Sequence, residues 1–174
     1  MDIQEFVQKY NSSSKPIDYD NAYGGECIDL IKYLFHEVYW VRPWAIGNAD
    51  QLFVDKHKFL TKQWFTQIKG SKDLQYWDII FLKTANIYRH VGIFLEDKWL
   101  HVEIFDQIGN GDKVGGELPP RIRTYAKTIV MGVWRSDIVQ KRVEAFVKKH
   151  GLKEPSKTES YTEYETCIIL SKII

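Results

Sequence analysis

The apolar pattern of this chain changes period once, near Trp64, and that change limits the fold more than any other feature. Before it, apolar residues recur at helical spacing. Ile3, Phe6 and Val7 share one face over Asp2 to Tyr10, and Leu30, Leu34 and Val38 recur at four-residue spacing between Cys27 and Trp40. Arg42-Pro43 is expected to end that second helix, and Asn48 is suited to cap a third from Ala49 to Lys56. After Trp64 come short runs rich in β-branched and aromatic residues: Trp64 to Ile68, Asp78 to Lys83, His90 to Glu96, Trp99 to Phe105 and Thr128 to Trp134. Glu96-Asp97-Lys98 reads as a hairpin turn, and Gly109-Asn110-Gly111, Gly115-Gly116 and Pro119-Pro120 as one long loop. Helices first and strands afterwards predict an α+β domain, with N-terminal helices packed on a central antiparallel sheet.

Residues 1–135 form the predicted main domain and 136–174 an appendage. The appendage is read as an amphipathic helix from Ser136 to His150, a charged linker from Lys153 to Glu159, and a terminal strand from Tyr161 to Ile174. A length of 174 residues suffices to bury a core without metal or disulfide staples. The formal net charge of +1 supplies no global field toward nucleic acid or an anionic membrane, so neither is an expected partner. Met1 to Glu5 lacks a basic region followed by an apolar run, so no secretory signal is expected. Aromatic residues make up 14% of the chain, an excess that core packing accommodates and that also suits a ligand groove.

Cys27 and Cys167 show no CxxC or zinc-type spacing, so any special role for a cysteine must come from its surroundings. Cys27 follows Gly24-Gly25 and opens a buried helix. A helix N-terminus favours a thiolate, the nucleophilic form of cysteine, and a glycine-rich approach lets backbone N–H groups come close to an oxyanion. His90 directly precedes the buried run Val91 to Leu95, which puts it at the start of a strand and able to face a cleft; His101 is its competitor as base. His36, His57 and His150 fall on or beside helices and are assigned to structure or solvent. A catalytic imidazole needs an orienting partner on its second nitrogen. Glu103, Asp106, Gln107 and Asn110 are all candidates, because a one-residue register slip exchanges the faces of a strand. Asp18, Asp20 and Asp29 form a separate carboxylate group that suits either turns and caps or a hard cation.

The segment Ile17-Asp18-Tyr19-Asp20-Asn21-Ala22-Tyr23-Gly24-Gly25-Glu26-Cys27-Ile28-Asp29-Leu30 resembles the Asp-x-Asp-Gly-x-Tyr-Gly-x-Gln-Cys-x-Asp-Leu run of the CHAP domain, the cysteine, histidine-dependent amidohydrolase/peptidase family of phage and bacterial wall lysins. Gly47-Asn48-Ala49, Trp77-Asp78-Ile79-Ile80, Arg89-His90-Val91-Gly92-Ile93, Phe105-Asp106-Gln107 and Gly132-Val133-Trp134-Arg135 resemble further steps of that family in the same order. The resemblance spans about Met1 to Arg135 and implies a papain-like fold. It also implies a peptidoglycan hydrolase, an endolysin or virion-associated lysin cutting wall amide bonds. Cys27 would then be the nucleophile, His90 the base and Asp106 the orienting group. It implies structural calcium at Asp18, Asp20 and Asp29. Bacterial peptidoglycan is the implied partner, with other virion proteins if the enzyme rides in a particle. Such a protein is made in the cytoplasm and reaches the wall by phage-type release or within a virion. The chain departs from the family at Asn21, Glu26, Trp77 and Ile108. The Glu26 and Ile108 departures motivate the alternative of a tail or structural module that kept the fold and lost efficient chemistry.

Overall fold

The computed structural model describes residues 1–43, 46–55, 57–84, 87–108, 118–138 and 141. Most of the predicted helix from Ser136 to His150, the linker, the terminal strand, Cys167 and Asn110 lie outside the described residues. The chain divides into two compact units, Met1–Arg135 and Ser136–Ile174. No helix among the described residues is long and apolar enough to cross a membrane.

Four helices occupy the first part of the chain: α1 (Ile3–Asn11), α2 (Cys27–Glu37), α3 (Ala49–Val54) and α4 (His57–Lys62). Two of them start at reciprocal caps. The Asp2 carboxylate accepts from the Glu5 N–H and the Asn48 side chain from the Gln51 N–H, each answered by the third helical residue bonding back. The helix predicted from Cys27 to Trp40 stops at Glu37, before Arg42-Pro43 is reached, and Trp40 takes a left-handed φ of 56°.

Six strands follow: β1 (Phe65–Lys69), β2 (Ile79–Leu82), β3 (His90–Lys98), β4 (His101–Ile108), β5 (Leu118–Ala126) and β6 (Val130–Ser136). They form one sheet in the order β1-β6-β2-β3-β4-β5, and the β2–β3, β2–β6, β3–β4 and β4–β5 pairs are antiparallel. The α+β expectation therefore holds, with two corrections. Glu96, Asp97 and Lys98 belong to β3, and the hairpin turns at Trp99 and Leu100, where Trp99 has φ 56°. Residues read as the end of a long loop form β5. Pro119 and Pro120 are tolerated because β5 is an edge strand, where a missing N–H costs no interior ladder bond.

Consecutive residues of β2, from Ile79 to Leu82, are all buried, so the sheet is covered on both faces at β2. Ile80, Leu82, Phe94, Val102, Ile104 and Val133 make one cluster, and α2 packs against β3 and β4 through a helix whose Leu30, Ile31, Leu34 and Phe35 are fully buried. The β3–β4 register sets Gly92 opposite Asp106. A Cβ at Gly92 would lie 2.9 Å from the Asp106 Cβ and also collide with Ile104. This gap in the side-chain layer lets β4 approach β3 beside His90. Gly92→Ala is expected to destabilise the protein by about 1–3 kcal/mol through overpacking. Urea unfolding checks this; an unchanged midpoint would show that the strands part without cost.

Candidate active site

Cys27 is the first residue of α2 and is partly exposed, with a free thiol. The loop leading to it is tightly wound: Asn21, Tyr23 and Gly24 take left-handed φ values of 58°, 67° and 79°. Gln107 clamps that loop to β4. Its Oε1 accepts from the Ile17 N–H at 2.7 Å, and its Nε2 donates to the carbonyls of Ile17 at 2.7 Å and Glu26 at 3.0 Å. Gly25 is needed for this closeness, since a Cβ there would sit 2.6 Å from Pro16 Cβ and 2.9 Å from Gln107 Nε2.

His90 begins β3 directly after Arg89, which has φ 62°, and is buried, as is Asp106. Its Nε2 bonds Asp106 Oδ2 at 2.6 Å. The imidazole also interacts with the Cys27 side chain. The structure thus brings together Cys27, His90 and Asp106. Burial works against a charge on His90, but the bond to Asp106, then the interaction with Cys27, push its pKa up to about 10.

The other candidates for base and orienting group fall elsewhere. His101 is exposed at the far end of β4. Glu103 is bound to Lys98 at 2.6 Å. Gln107 holds the loop before Cys27 and not the imidazole. His36 bonds the Tyr19 hydroxyl at 3.2 Å.

Two partners of Asp106 escaped the sequence reading because both lie on β5. Tyr125 donates its phenol proton to Asp106 Oδ2 at 2.5 Å, and Arg123 pairs with Oδ1 while donating to the Asp106 carbonyl at 2.8 Å. The signal was present as the alternation Arg121, Arg123, Tyr125, whose members are half-buried between the exposed Ile122, Thr124 and Ala126. A buried carboxylate is costly unless paired and hydrogen-bonded, and Asp106 receives three side-chain donors.

The third predicted group is also assembled. Asp18, Asp20 and Asp29 present oxygens that all lie within 4.8 Å of one another. This is a donor set of hard oxygens suited to a cation such as calcium. Lys32 Nζ already reaches Asp20 Oδ2 at 2.6 Å and Asp29 Oδ1 at 2.9 Å.

A cleft of about 570 Å³ touches Glu26 and Ile28, the neighbours of Cys27, and is lined further by Tyr23, Lys32, Arg42 and Asn48. Burial, then the charge of Asp29, raises the pKa of Glu26 beside it. A second cavity of about 630 Å³ at Tyr19, His36 and Trp40 includes none of the three site residues.

Compared with known proteins, the chain matches no family profile and no curated sequence. Among solved structures it is similar to the wild-type endolysin LysIME-EF1. The TM-score is 0.60 at 16% identity, over 98% of this chain and 96% of that one. The likeness is one of fold.

Because the folded pKa of His90 stands above its ordinary 6.5, the group stabilises the fold fully below about pH 6.5 and loses that contribution as pH rises toward about 10. Melting temperature is expected to fall across that window, and His90→Gln to flatten the fall. Equal slopes in both proteins would place the dependence elsewhere. Tyr125→Phe is expected to cost about 1.5–3 kcal/mol in urea unfolding, as for a hydrogen bond to a charged group; a change within error would show that Asp106 does not need the phenol.

Proposed function

We propose that this chain is a cysteine-dependent peptidoglycan hydrolase of CHAP type, with a papain-like fold, in which Cys27 is the nucleophile, His90 the general base and acid, and Asp106 the orienting group. The observation that carries the reading is the chain of contacts Cys27–His90–Asp106, which supplies a nucleophile, its proton acceptor and an anchor on the acceptor's second nitrogen. The likeness to an endolysin structure and the order of the wall-lysin motifs support peptidoglycan as the substrate class.

The reaction is acyl transfer. The Cys27 sulfur attacks the carbonyl carbon of an amide, with the thiol proton held on His90. Backbone N–H groups near Cys27 would hold the developing oxyanion. Collapse breaks the C–N bond, His90 delivers its proton to the departing amine, and the acyl group remains on Cys27 as a thioester. Water then attacks the thioester, His90 takes its proton, and the acid product and free thiol are released. Asp106 stays ionised throughout, held by Arg123 and Tyr125, and its charge stabilises the imidazolium. Calcium, when bound at Asp18, Asp20 and Asp29, would fix the loop against α2; it takes no part in the proton transfers.

Wild-type protein is expected to clear a suspension of bacterial walls and to release fragments carrying new amine and carboxyl ends, read by mass spectrometry. Cys27→Ala should release none above the enzyme-free rate. Identical fragments from wild type and Cys27→Ala would sink the proposal, and an intact wall spectrum with wild type on walls of several chemotypes would favour the structural-module reading.

A further inference from the structure

Each carboxylate of the Asp18, Asp20 and Asp29 group spends one oxygen on the backbone. Asp18 Oδ1 accepts from the Asn21 N–H at 2.8 Å, Asp20 Oδ1 from the Ala22 N–H at 3.1 Å, and Asp29 Oδ2 from the Glu26 N–H at 2.9 Å. These bonds wind the loop and leave the remaining oxygens for a cation. Two of those remaining oxygens, Asp20 Oδ2 and Asp29 Oδ1, hold the ammonium of Lys32. The Lys32 side chain is only 12% exposed, so this is a seated pair and not a passing surface contact. Lys32 lies three residues after Asp29, on the same face of α2, so the helix itself delivers the charge. One ammonium against three carboxylates still leaves two negative charges in excess, so the group keeps its attraction for a divalent ion.

We propose that Lys32 is the built-in counter-ion of this loop and competes with calcium for Asp20 Oδ2 and Asp29 Oδ1. The inference rests on the calcium assignment made above and is independent of the hydrolytic chemistry. Without metal, Lys32 ties the loop to α2 at Asp29, whose other oxygen holds the backbone of Glu26 next to Cys27. With metal, the ammonium must leave, because both cations need the same oxygens. The apparent calcium affinity is then the intrinsic affinity reduced by the work of displacing Lys32, and the metal-free protein stays ordered where a chain lacking the lysine would not.

The test compares wild type with Lys32→Met by calorimetric titration with calcium chloride and by thermal melts in EDTA. Lys32→Met is expected to bind calcium more tightly by on the order of tenfold or more, and to melt lower than wild type in EDTA but not in excess calcium. Equal calcium affinities in the two proteins would overturn the competition, and absence of calcium binding in both would overturn the metal site with it. A second measurement needs no variant. Acylation of Lys32 in the wild-type protein, followed by peptide mass spectrometry, should speed up when calcium replaces EDTA, since the amine is released to solvent. A rate unchanged or slowed by calcium overturns the proposal. Wall hydrolysis does not enter either readout, so failure here leaves the proposed function standing, and the reverse.

Discussion

The site depends on one buried ion: the Asp106 carboxylate, sealed from solvent in β4 and bonded to His90 on one side and to Arg123 and Tyr125 on the other. An unpaired charge in that position would cost several kcal/mol, so three strands are bound into agreement about where it sits. β3 supplies His90, β4 the carboxylate and β5 the guanidinium and phenol. Fixing Asp106 fixes the imidazole ring, and the ring fixes which nitrogen is left for the thiol. The next residue, Gln107, does for Cys27 what Asp106 does for His90, by gripping the backbone of the loop before α2. Two consecutive residues of one strand therefore set both halves of the pair.

The arrangement also accounts for the left-handed backbone beside the site, one part of that found along the chain. Asn21, Tyr23 and Gly24 in the loop before Cys27, and Arg89 before His90, all take left-handed backbone angles. Such conformations cost energy in a non-glycine residue and persist where the surroundings impose them. Here the Gln107 clamp, the backbone bonds of Asp18 and Asp20, and the Lys32 bridge impose the first set. Gly25 and Gly92 are the places beside the site where the chain closes in so far that no side chain fits.

Much of this was legible in the sequence, for physical reasons that differ from residue to residue. The helix that starts at Cys27 is visible because its apolar residues repeat at helical spacing and a glycine pair precedes it. The strand that starts at His90 is visible because Val91 to Leu95 is continuous and apolar. β5 was hidden twice over: Pro119-Pro120 imitates a loop, and its inward face carries Arg121, Arg123 and Tyr125 while Ile122 points out. The apolar alternation is thus inverted because the strand faces a carboxylate. The choice among Glu103, Asp106 and Gln107 was beyond periodicity, since it hangs on register. Shifts between Phe94 and Glu96 and between Asp106 and Ile108 alter that register on either side of the decisive pair. The turn at Trp99 and Leu100 was misplaced for a related reason, since charged Glu96 to Lys98 look like a turn yet form the exposed end of a hairpin tied by Lys98 and Glu103.

The central claim is that His90, held by Asp106, activates the Cys27 thiol. The most direct measurement is the rate of Cys27 alkylation by iodoacetamide against pH, in wild type and in Asp106→Asn, read by peptide mass spectrometry. Wild-type Cys27 should react faster than Cys167 near neutral pH, and Asp106→Asn should remove most of that advantage while the protein remains folded by circular dichroism. A Cys27 no faster than Cys167 in the wild type, or a pH profile that Asp106→Asn leaves unchanged, would contradict the account.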